Sequence, residues 1–114
     1  MKYFETIFLN DAEDFVATLD KKSIKKVLYN IDLAEQTKDP GLFKKLEKDI
    51  WEFRTKYLGI QIRLLAFWDK EGNKETLVLA THGFIKKTDK VPKKEIDRAV
   101  VIRMKYFEDK KNNK

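Results

Sequence analysis

The apolar positions change their period along the chain, and each period predicts an element. Residues 3–9 carry Phe4, Ile7, Phe8 and Leu9, strand-favouring side chains ahead of a turn-like Asn10-Asp11 pair. Asp11 is suited to cap a helix, and Phe15, Val16 and Leu19 give that helix one apolar side. Ile24, Val27, Leu28, Ile31 and Ala34 then recur at spacings of three and four, the signature of a second helix. Only residues 20–22 separate the two stripes, so the helices form a hairpin. Lys38-Asp39-Pro40-Gly41 ends the second helix, because proline removes a donor and restricts its predecessor while glycine permits a turn.

From Ile50 the period becomes two. Trp51, Phe53, Thr55 and Tyr57 alternate with Glu52, Arg54 and Lys56, giving a strand with one aromatic and one charged face. Gly59 turns the chain into a second strand, in which Ile60, Ile62, Leu64, Ala66 and Trp68 share one face and Gln61, Arg63, Leu65 and Phe67 the other. Residues 69–73 read as a turn and 76–81 as a third, apolar strand, which completes a meander. Pro92 fits the first turn of a last helix with Ile96, Val100, Met104 and Phe107 on one side. The expected fold class is α+β: an N-terminal strand and helical hairpin on an antiparallel sheet, with a C-terminal helix. Residues 1–108 make one domain, and 109–114 a charged tail that frays.

Composition narrows the chemistry. The chain has 114 residues and no cysteine, which excludes disulfides and thiolate metal sites, and its single histidine, His82, cannot build a histidine cluster. The expectation is metal-independent action without a cofactor. No apolar run approaches the roughly 20 residues that span a bilayer, so the reading is cytoplasmic, with no membrane partner. Lys and Arg number 25 against 19 Asp and Glu, for a net charge of +6 that suits a polyanionic partner.

Two clusters of residues bear on that partner. Glu52, Arg54 and Arg63 come from neighbouring strands, and Arg63 interrupts an otherwise apolar run. A fixed guanidinium there can grip a phosphate or stabilise charge gathering on it. The plainer reading is a cross-strand salt bridge with Glu52. The second is His82-Gly83-Phe84-Ile85-Lys86-Lys87, followed by Thr88, Lys90, Lys93 and Lys94, at the exit of the last strand. Its lysines suit phosphates and His82 suits proton transfer. The plainer reading is a solvated basic loop and a histidine packed on Phe84. Trp51, Phe53, Tyr57, Phe67 and Trp68 are mostly core, with base stacking open to one or two exposed members.

These residues resemble a known family. Ile50-Trp51-Glu52-Phe53-Arg54, then Arg63-Leu64-Leu65-Ala66-Phe67-Trp68, then His82-Gly83-Phe84-Ile85-Lys86-Lys87-Thr88 with Lys90, Pro92 and Glu95-Ile96, are similar to the phage-derived, HigB-like branch of the RelE/ParE toxins. The likeness is specific over residues 50–107; before that it rests on element order and a looser similarity around Leu42-Phe43-Lys44-Lys45-Leu46. It implies a RelE-like fold and an endoribonuclease that acts on messenger RNA at the ribosome. The implied partner is a helix-turn-helix antitoxin, through which alone the toxin meets operator DNA. It further implies that Arg63 contacts the scissile phosphate, that Arg54 belongs to the Trp-Glu-x-Arg pattern, and that Lys86 or Lys87 is the basic residue after the last strand; Lys56, Lys90, Lys93 and Lys94 are expected to bind RNA through their charge. Glu52 stands where RelE carries lysines, one of them a candidate general base, which leaves three readings: Glu52 takes the base role, or it only orients an arginine, or the proton-transfer groups are His82 and a lysine. A ParE-like inhibitor of DNA gyrase and a non-enzymatic RNA-binding domain are the competing readings.

Overall fold

The computed structural model describes residues 2–71 and 77–113. Its elements are β1 (Glu5–Phe8), α1 (Asn10–Ala17), α2 (Lys21–Thr37), β2 (Phe43–Lys45), β3 (Trp51–Tyr57), β4 (Ile60–Asp69), β5 (Leu77–Lys86) and α3 (Lys93–Asn112). The five strands form one sheet in the order β1-β5-β4-β3-β2, with β1 parallel to β5 and every other pair antiparallel. The fold is therefore the α+β arrangement expected of a RelE-like domain. Among the described residues no helix is long and apolar enough to cross a membrane.

Each sheet face carries a core. Phe53, Ile62, Leu64, Ala66, Val78 and Ala80 pack against Ala12, Val27, Ile31 and Ala34 of the helical hairpin. Leu65, Phe67 and Leu79, with Ile50, pack against Ile96 and Ala99 of α3 on the opposite face. The alternation along β4 and β5 thus serves two cores, which is why β4 reads as apolar on both faces, whereas β3 gives its apolar face to the hairpin side alone.

Local signals explain most boundaries. Asp20 caps α2, accepting from the Ser23 backbone N–H at 2.7 Å. Lys38 closes the helix in the left-handed conformation, its N–H donating to Ala34 O at 2.8 Å. Leu58 and Gly59 both take positive φ, the two-residue turn that matches the twist of a hairpin. Asp11, by contrast, is not a cap: α1 starts at Asn10 after Leu9, and the Asp11 carboxylate instead accepts from Arg98 of α3 at 3.0 Å.

Three features depart from expectation. Strand β2 is new, and β5 runs on through His82 to Lys86, so His82 is not at the strand exit. Residues 72–76, which hold part of the expected turn and the start of the expected third strand, lie outside the described residues. Helix α3 continues to Asn112, through most of the tail expected to fray. Its last turns are tied to the sheet: Tyr106 Oη and Lys110 Nζ each donate to the buried Asp69 carboxylate at 2.7 Å. Burial alone would raise the Asp69 carboxyl, but these bonds outweigh it and hold it below its ordinary value, while burial and Asp69 push the Tyr106 phenol up to about 12.

A bulge in β5 orients its second half. Leu65 pairs with His82 and Ala66 with Ala80, which leaves Thr81 as an extra residue. The slip turns His82, Phe84 and Lys86 to the α3 face and Gly83 to the hairpin face. There a Cβ on Gly83 would lie 2.2 Å from the Phe15 ring of α1. Gly83→Ala is accordingly expected to cost about 1–3 kcal/mol, as overpacking does. Thermal unfolding checks it, and adding Phe15→Leu to make room should recover part of the loss; an unaltered melting temperature would contradict this packing.

A cationic cleft on the open half of the sheet

Helix α3 covers only part of its sheet face, and the remainder is polar. The register aligns Lys44 with Glu52, Arg54 with Arg63, Lys56 with Gln61, and Gln61 with Lys86, so one face carries charged residues from β2, β3, β4 and β5. A cleft of about 340 Å³ opens there, lined by Lys44, Arg54, Lys86 and Lys90 against the carboxylates of Glu47, Glu52 and Asp89, with Leu46, Val91 and Ile96 at its apolar side.

Glu52 organises the floor. It is 3% exposed, and its two oxygens each face one arginine: Oε1 lies 3.5 Å from Arg54 Nε and Oε2 lies 3.5 Å from Arg63 Nε. The carboxylate thereby separates two guanidinium groups that would otherwise confront each other directly across the strands. The contacts are long, and Glu52 Oε2, Arg54 Nε and Arg63 Nε have no hydrogen-bond partner among the described residues. Buried polar atoms in this state are uncommon in folded proteins.

The two arginines differ in access. Arg63 is 3% exposed and does not line the cleft; it donates from Nη2 to Gln61 Oε1 at 2.8 Å and from Nη1 to Ile62 O at 3.2 Å. Burial lowers its pKa, Glu52 opposes the shift and Arg54 adds to it, as expected of a cation held behind a carboxylate. Arg54 keeps about a third of its side chain exposed (34%) and lines the cleft beside Lys86.

His82 belongs elsewhere. It is 1% exposed, absent from the cleft lining, and held between Thr81 and Glu95: Nδ1 lies 3.0 Å from Thr81 Oγ1 and Nε2 3.1 Å from Glu95 Oε1. The Phe84 ring sits 6.3 Å away, so the histidine clasps β5 to the first turn of α3. Burial lowers the imidazole below its ordinary value, although Glu95 opposes the shift. A neutral ring donates from Nε2 to Glu95 and accepts at Nδ1 from the Thr81 hydroxyl. That hydroxyl also lies 3.2 Å from Leu65 O, and its single proton serves one acceptor at a time.

A pH dependence follows. As pH falls through about 6.5, the ordinary histidine value, the unfolded chain takes up a proton while folded His82 stays neutral. Stability is therefore full above that value and declines below it until the folded imidazole titrates. With one histidine in the chain, the slope is assignable: His82→Gln should flatten the fall in melting temperature between about pH 6.5 and 5. An equal slope in both proteins would disprove it.

The remaining basic residues divide. Lys90 lines the cleft, in a loop where Thr88 Oγ1 donates to Lys90 O at 2.7 Å. Lys56 shares the sheet face but lies outside the lining, as do the exposed Lys87, Lys93 and Lys94. Lys44 was not among the residues expected at the site. Its strand has three residues, too few to show an alternation, and only pairing with β3 turns it inward.

A family model for phage-derived Gp49-like proteins (DUF891) matches residues 14–105, a stretch that holds every cleft residue named above. No curated protein matches the chain. With most of its length matched, including the whole sheet except β1, the chain belongs to the phage-derived Gp49-like family.

Proposed function

We propose that this chain is the toxin of a type II toxin-antitoxin system, a HigB-like endoribonuclease that cuts messenger RNA on the ribosome and is silenced by a helix-turn-helix antitoxin. The observation that carries the reading is the cleft, where Lys44, Arg54, Lys86 and Lys90 surround a carboxylate pinned between two arginines. These four cations come from four segments and outnumber the carboxylates of Glu47, Glu52 and Asp89 in the same lining, which suits a phosphodiester whose charge grows as it is attacked.

In this reaction the ribose 2′-oxygen loses its proton and attacks the adjacent phosphorus. The bond from phosphorus to the 5′-oxygen breaks, and that oxygen takes a proton, leaving a 2′,3′-cyclic phosphate and a 5′-hydroxyl. Arg54 and Lys86 neutralise the non-bridging oxygens of the pentacoordinate state. In this reading Glu52, its oxygens each 3.5 Å from the Nε of one arginine, orients Arg54 rather than acting as base. His82 is enclosed away from the cleft, so the proton transfers fall to the amines of Lys44 and Lys86. Arg63 sets the position of Glu52 from behind.

Expression of the chain alone should arrest growth and cut messenger RNA, with new 5′-hydroxyl ends mapping within translated codons, and a cognate antitoxin should restore growth. Intact messenger RNA with double-strand breaks in DNA would identify a gyrase inhibitor instead. RNA binding without new ends would identify a non-enzymatic binding domain.

A further inference from the structure

We propose that a second pocket, across the edge strand β2 from the cleft, is a base-stacking subsite that holds an RNA nucleotide flanking the cut. The proposal rests on reading the cleft as an RNA-cleaving site. The pocket measures about 720 Å³, and its walls include Trp51 and Trp68. The two indoles meet edge to face, 5.6 Å apart at 80°, and Phe43 stacks on Trp51 at 4.8 Å, so the aromatic wall is held rigid from behind.

The rim is cationic. Lys38, Lys45, Lys70 and Arg103 line the pocket, against the two carboxylates of Asp49 and Glu71. The Lys38 and Lys70 ammonium groups sit 5.6 and 5.3 Å from the centre of the Trp68 ring. Lys38, Lys45 and Arg103 form no ion pair among the described residues, and Arg103 Nε is buried without a hydrogen-bond partner there. An apolar partner would leave these cations unanswered, and an acidic peptide would leave the planar indoles unused. A nucleotide answers both, placing a flat base against the indoles and a phosphate among the cations.

The pocket's position fits the same ligand. Lys44 pairs with Glu52 and Lys45 with Trp51, and alternation sends the first pair into the cleft and the second into the pocket. The two sites thus draw on adjacent residues of β2 and β3 whose side chains leave opposite sheet faces, and the pocket reaches past the strand ends to Arg103 and Phe107 of α3. Strand β2 ends the sheet, so an RNA chain that leaves the cleft around this edge arrives at the tryptophans.

Both tryptophans of the chain line this pocket, so tryptophan emission reports on it directly. The probe is an end-labelled 2′-O-methyl hexaribonucleotide, which lacks the attacking hydroxyl and stays uncut. Its binding, followed by the anisotropy of the label, should quench the emission with the same midpoint, and an abasic oligomer of equal charge should quench far less. Trp51→Ala should lower affinity roughly 5- to 150-fold, the range for losing one stacked base. Should that variant fail to fold, the Lys45→Ala/Arg103→Ala double variant should still weaken binding and quenching, and unchanged affinity in that double variant would overturn the subsite. Equal quenching by the abasic oligomer, or by a hexaglutamate peptide, would overturn the subsite in favour of charge alone or of an acidic protein segment. A rise in anisotropy without quenching would overturn the subsite but leave the cleft reading standing, whereas failure of that reading would show as wild-type protein that leaves messenger RNA uncut.

Discussion

Arg63→Ala is expected to lower folding stability by about 3–5 kcal/mol, the cost of stranding one partner of a buried ion pair. The guanidinium is almost wholly enclosed and supports Glu52, the Gln61 side chain and the Ile62 carbonyl at once. Its removal leaves Glu52 buried with only the half-exposed Arg54 for company. For a domain of this size the melting temperature should drop by roughly 10–20 °C. Adding Glu52→Gln should recover part of the loss, because a buried pair removed together costs less than one removed singly. Protein that still folds should cut RNA at a rate lowered only as far as Arg54 is misplaced. Normal melting with a hundredfold loss of cleavage would instead make Arg63 a direct phosphate ligand.

Lys86→Ala should act in the opposite sense, lowering single-turnover cleavage on the order of 100- to 1,000-fold, the scale of losing one group that stabilises transition-state charge. Stability should change by no more than about 0.5 kcal/mol, since Lys86 makes no ion pair among the described residues. Lys87→Ala is the control for register. The Thr81 bulge turns residue 86 into the cleft and leaves 87 exposed outside it, so Lys87→Ala should cleave at close to the normal rate. If the two substitutions exchanged effects, the strand would have to run without the bulge, with every side chain after it reversed.

Elements whose signals are local are legible in the residues alone. The spacing of Ile24, Val27, Ile31 and Ala34 and the stop at Lys38-Asp39-Pro40 lie within a few residues of the structure they specify. The alternation along β3 and β4 and the Gly59 turn belong to the same class, and they were enough to place Glu52, Arg54 and Arg63 side by side. What sequence left open was whether Arg63 is a structural cation or a phosphate ligand, because both need the same residue in the same strand.

Tertiary structure alone decided the rest. Strand β2, and with it Lys44, exists only through pairing with β3. Strand β1 joins β5 in parallel, a partner some 70 residues away that no local pattern reveals. The bulge at Thr81 exists only through the register of β5 on β4, yet it selects Lys86 over Lys87 for the cleft and withdraws His82 beneath α3. The end of α3 is held by Asp69, 41 residues before Lys110, so a run of charges that looks frayed in sequence is helical in the fold. In each case the deciding contact joins residues distant along the chain, and period, propensity and capping report only on neighbours.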